Sequence, residues 1–106
     1  MDEVIKITKD IKAGNIKPIY FFMGEEPYYI DKLTEFIEDN VLQEHERDFN
    51  QTIIYGKDAS IEEIISNAKR YPMMAERQVV IVKEAQELTR YIEKLEKYIE
   101  NPQPTT

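Results

Sequence analysis

Cysteine is absent from this sequence, and histidine occurs once. Without thiols, disulfides, thiolate catalysis and cysteine metal sites are excluded. His45 stands in the charged run Gln43-Glu44-His45-Glu46-Arg47-Asp48. A metal centre needs several ligands in a set geometry, so we read His45 as part of a solvated loop and expect neither metal nor cofactor. Positive charge is scarce too. Fourteen Lys and Arg against 21 Asp and Glu leave a net charge of −7. Nucleic-acid affinity comes mainly from Lys and Arg neutralising phosphates, and no basic patch is present, so direct DNA or RNA binding is disfavoured. No apolar run reaches membrane-spanning length. The start, with Asp2 and Glu3, lacks a signal-peptide core. We therefore expect a cytoplasmic chain without membrane contact. Internal repeats, low-complexity tracts and a G-x-S-x-G nucleophile element are also missing.

What is present fits one small domain of 106 residues, 42% apolar and 33% charged. Val4, Ile7 and Ile11 recur at helical spacing over Asp2 to Ala13, and Gly14-Asn15 suits a left-handed cap. Ile19 to Met23 is a continuous apolar run, which predicts a strand buried on both faces. Gly24 ends it, and Pro27 suits the first turn of a helix striped by Tyr29, Ile30, Leu33, Phe36, Ile37 and Val41. Gln43 to Asp48 reads as a charged connector and Phe49 to Tyr55 as a second strand. Ser60 and Glu63 have capping-box spacing before a helix with Ile61, Ile64, Ile65 and Ala68 on its buried face. Tyr71-Pro72 stops that helix. Val79 to Val82 is the clearest buried strand, and Leu88, Tyr91, Ile92, Leu95, Tyr98 and Ile99 predict a last amphipathic helix. The alternation predicts an α/β fold: three layers, α-β-α, around a short, mostly parallel three-stranded sheet. The chain stops where another strand is due, so we expect a fragment of a longer protein.

The turn after the first strand is where a nucleotide site would lie. A P-loop reads G-x-x-x-x-G-K-[ST], with glycines for close approach, Lys for the outer phosphates and a hydroxyl for Mg²⁺. Counting from Gly24, those last three positions hold Tyr29, Ile30 and Asp31. Glu25 and Glu26 add two anions where phosphate would sit. Like unit charges about 4 Å apart cost about 1 to 4 kcal/mol between water and a surface-like dielectric. The turn is a degenerate P-loop or an ordinary βα turn, and either predicts no bound nucleotide. After the Val79 to Val82 strand, Lys83 occupies the first position where nucleotide hydrolases carry an acid, leaving Glu84 alone. No catalytic residue is assigned.

One segment remains, Tyr71-Pro72-Met73-Met74-Ala75-Glu76-Arg77-Gln78. Two adjacent Met side chains either cap the sheet edge and touch the core, or bind a partner by insertion, as flexible, polarisable Met does on other surfaces.

The strand followed by Gly24-Glu25-Glu26-Pro27-Tyr28-Tyr29-Ile30-Asp31-Lys32, together with Met73-Met74-Ala75-Glu76-Arg77-Gln78 leading into Val79 to Val82, resembles the N-terminal domain of the delta subunit of the bacterial DNA polymerase III clamp loader. The likeness covers essentially the whole chain. It implies a truncated AAA+ (P-loop-like) domain that has lost ATP binding, spanning residues 1–106, with the lid and collar domains absent. It also implies a non-catalytic part of the DNA polymerase III holoenzyme that binds the ring-shaped sliding clamp and helps to open it during DNA replication. Other loader subunits would be met through parts absent here. Two adjacent apolar side chains make the clamp contact in the family. The matching positions are Met73 and Met74, where the usual pattern is Leu-Phe, with Tyr71, Pro72 and Arg77 at the rim. The absent strand would lie between the first and third strands, so edge-mediated self-association is expected, and gel filtration with light scattering tests it. The alternatives are a small nucleotide-binding or nucleotide-hydrolysing α/β protein and, ranked last, a flavodoxin-like scaffold domain.

Overall fold

The structure, a computed structural model, describes residues 2–20, 22, 27–56, 58, 60–83 and 92–106. Helix α1 (Asp2–Lys12) closes in a left-handed cap. Gly14 has φ +84°, its N–H donates to Ile11 O (3.0 Å), and Asn15 N–H donates to Asp10 O (2.8 Å). This is the Schellman arrangement that occupies the last orphan carbonyls. Helix α2 (Pro27–Asn40) runs alongside α1. Ile11 and Leu33 are the buried residues of this pair, and Lys12 Nζ lies 5.7 Å from the centre of the Phe36 ring.

The expected charged connector is instead a helix, α3 (Glu44–Asn50). Its start is fixed by a capping box at Gln43 and Glu46: Gln43 N–H donates to Glu46 Oε1 (3.0 Å), and Glu46 N–H donates to Gln43 O (2.9 Å). Arg47 reaches back to the Asp39 carbonyl near the end of α2, where a cation is favoured by the helix dipole. Phe49 and Asn50, expected in a strand, are therefore helical, and strand β1 is Gln51–Tyr55.

A β–α–β unit follows. Ser60 caps helix α4 (Ile61–Lys69) by accepting from Glu63 N–H at 3.2 Å, as its spacing predicts. Strand β2 (Val79–Lys83) pairs parallel to β1, with Ile54 opposite Val82 and Tyr55 opposite Lys83. Ile61 and Ile64 form the core, with Ile54, Ile65 and Val82 packed on them. Leu95 of helix α5 (Ile92–Glu100) joins the same cluster. Strand side chains alternate faces, so Lys83 leaves the sheet opposite Val82, and there its Nζ pairs with Glu38 of α2 at 3.0 Å.

The sheet has two strands among the described residues, not three. Of the predicted first strand, Ile19, Tyr20 and Phe22 lie outside regular structure, while Phe21 and Met23 are outside the described residues. Tyr20 and Phe22 keep the alternation of extended chain, their ring centroids 6.1 Å apart. An extended run becomes a strand only with a ladder partner. Tyr20 Oη accepts from Lys17 N–H (3.0 Å). Glu84 and the first part of the predicted last helix, including Leu88 and Tyr91, also lie outside the described residues. No helix among the described residues is long and apolar enough to cross a membrane.

Candidate functional site

The segment between α4 and β2 leaves two large apolar side chains in solvent. Met74 is 99% exposed and Met73 60%. Neither caps the sheet edge as core packing would require. Met74 also has φ +55°, in the left-handed region that side chains with a Cβ seldom occupy. Tyr71 is 76% exposed, while Pro72 and Arg77 are half-buried. Of these three residues only Tyr71 projects into solvent.

The segment that carries these side chains is held at two points. Asn50, at the end of α3 and 2% exposed, receives Met73 N–H on Oδ1 at 2.6 Å. Its Nδ2 donates to Met73 O at 2.8 Å and to Glu46 O at 3.0 Å. One side-chain amide therefore satisfies both backbone groups of Met73. Gln78, also 2% exposed, holds the other point. Its Nε2 lies within 2.7–3.3 Å of Asn67 O, Ala68 O, Arg70 O and Thr106 Oγ1. Two protons shared among these acceptors close the end of α4 and the start of the turn. Gln78 N–H donates to Thr105 O at 2.8 Å, so residues up to 106 brace the same corner.

Asn50 was missed as a site residue by sequence reasoning. The available signal was an aromatic and an Asn beside a charged run, which also fits the start of a strand.

Tyr29, Ile30 and Asp31, the positions that fail the P-loop pattern, fall in the first turns of α2. Tyr29 and Ile30 are half-buried and Asp31 is exposed. The Tyr28 and Tyr29 rings meet edge to face at 5.4 Å, and Lys32 Nζ lies 5.6 Å from the centre of the Tyr28 ring. Gly24, Glu25 and Glu26 are outside the described residues. His45 is exposed on α3. No cluster of three metal-ligating side chains occurs among the described residues.

Fold and turn define the class first: a mixed α/β domain whose β–α–β unit presents an apolar turn on a hydrogen-bonded base. The profile of the family described as DNA polymerase III, delta subunit, matches residues 20–106, and the chain belongs to that family. It is similar to DNA polymerase III subunit delta of Bacillus subtilis (strain 168), with 30% identity over 112 residues, covering 97% of this chain and 32% of the relative. It is also similar to the solved structure of the Bacillus subtilis DNA clamp loader delta protein. There the TM-score is 0.84 at 28% identity, covering 97% of this chain and 33% of the other. The chain thus spans about a third of the length of these relatives.

Proposed function

We propose that this chain is the clamp-binding part of a clamp-loader delta subunit. It seats Met73 and Met74 in an apolar pocket of the sliding clamp and helps to open the ring during DNA replication. The observation that carries this reading is the turn itself: two adjacent apolar side chains stand in solvent while the backbone below them is fixed. A small apolar anchor entering a pocket is the usual source of binding energy at such contacts. In this reading the domain is non-catalytic, of AAA+ descent and without ATP binding, and other loader subunits are met by parts of the protein beyond this third. Tyr71 rims the contact, while Pro72 and Arg77 shape its base. The test is binding of the protein to the sliding clamp by surface plasmon resonance. Met73→Ala with Met74→Ala should weaken it at least tenfold, about 1.4 kcal/mol, and leave thermal unfolding within about 0.5 kcal/mol, as for exposed side chains generally. A double variant that binds like the parent removes the site assignment.

A further inference from the structure

We propose that Asn50 is a positioning residue for the docking turn, presetting Met73-Met74 in its binding shape before the partner arrives. This rests on the reading of that turn as the clamp contact. The observation is the complementary pair of bonds between one buried side-chain amide and both backbone groups of Met73, 23 residues further along the chain. An amide presents a donor and an acceptor in one plane, as a neighbouring peptide group does. Asn50 therefore stands in for a strand partner at the point where α3 gives way to β1.

No other side chain fits the position. Asp keeps the acceptor for Met73 N–H and loses both donors, setting a carboxylate oxygen against two carbonyls. Ala leaves both groups of Met73 without their partner. The third bond, to Glu46 O at 3.0 Å, locks the amide to the helix that carries it, so the grip has a fixed direction.

What Asn50 holds does not hold itself. The Met74 side chain is in solvent, and its backbone sits in the left-handed region. Such conformations persist only where the surroundings impose them. Released from Asn50, the turn samples other shapes, and a partner meets the competent one only part of the time. Apparent affinity falls by that fraction.

The experiment pairs two measurements on the protein and its Asn50→Ala variant. The first is amide hydrogen exchange at Met73 in the free protein, expected to rise about tenfold or more when its acceptor is lost. The second is affinity for the sliding clamp, expected to fall about tenfold, the size that follows if one turn residue regains its backbone freedom. The same substitution placed on Met73→Ala with Met74→Ala should cost no further affinity, because the anchors it positions are gone. Asn50→Leu, close in volume and without hydrogen-bonding groups, serves where the Ala variant does not fold, with the same directions expected. Faster exchange with unchanged clamp affinity would reduce Asn50 to a purely structural contact. An equal loss of affinity in the Met-less background would place its effect elsewhere. A parent protein that does not bind the clamp overturns the docking reading and this role together, whereas exchange at Met73 that stays slow in Asn50→Ala overturns the Asn50 grip alone.

Discussion

Gln78→Glu is the sharpest perturbation this structure offers, because it exchanges one atom at a fully enclosed position. The parent Nε2 donates into a cage of carbonyls from Asn67, Ala68 and Arg70 and the Thr106 hydroxyl oxygen. Some of these acceptors have other donors. Asn67 O also accepts from Arg70 N–H at 3.3 Å, and Ala68 O from Thr106 Oγ1 at 2.8 Å. Truncation to Ala therefore orphans chiefly the Arg70 carbonyl and loses the remaining share of the bonds, a cost of about 2 to 3 kcal/mol. For a domain of this size that lowers Tm by about 10 to 20 °C. The Glu variant should be worse at neutral pH, above about 3 kcal/mol, since an ionised oxygen would face the same carbonyls with nothing to neutralise it. Its folded-state pKa must then lie above the unfolded value of about 4.3. The ionisation penalty is largest above the folded pKa, shrinks as pH falls through it, and is gone below both values, where the protonated carboxyl donates one of the two protons the amide supplied. Urea unfolding of parent, Gln78→Ala and Gln78→Glu between pH 7 and acid measures all of this. A Glu variant as stable as the parent at pH 7, or one whose deficit is the same at every pH, refutes the reasoning.

Three further outcomes are expected. The Glu38 carboxylate beside Lys83 holds the lysine above its ordinary pKa, with burial pulling the other way. The stabilisation from this pair is present below the unfolded lysine value of about 10.4 and lost as pH rises through the folded one. Lys83→Met should remove that alkaline loss in chemical unfolding and cost about 0.5 kcal/mol at pH 7, discounted because the pair is partly solvated. Gly14→Ala should cost about 1 kcal/mol through backbone strain alone, because a Cβ there meets nothing within 4 Å; an unchanged urea midpoint would contradict it. ATP with Mg²⁺ should leave Tm unchanged, whereas a site filled at a hundred times its dissociation constant adds about 2.7 kcal/mol; a clear upward shift revives the nucleotide-binding alternative.

Much of the fold was legible because it rests on local patterns. The stripes of α1, α2 and α4, the Ser60 cap and the Val79 to Val82 run each state their own structure. Helix α3 did not, because it has no apolar stripe and depends on a capping box and one buried Asn. Ile19, Tyr20 and Phe22 have strand composition yet lie outside regular structure, because composition alone does not supply a ladder partner. Glu38 is half-buried on α2 where it meets Lys83, a pairing that no local pattern announces. In the candidate site, sequence singled out Met73 and Met74 but left open whether they pack or project. The amide that holds Met73 comes from position 50, which reads as strand, and the one that closes the end of α4 comes from position 78.

The grip on the turn is directed at main-chain atoms: both groups of Met73 by Asn50, and the carbonyls leading into it by Gln78. Main-chain atoms are the same whatever residue stands there. Side chains at 73 and 74 can therefore be exchanged for others that tolerate the turn without disturbing what holds it, so this exposed surface is free to diverge while the scaffold stays constant. In the proposed clamp-binding role, affinity could then be retuned at these two positions without first acquiring stabilising changes elsewhere.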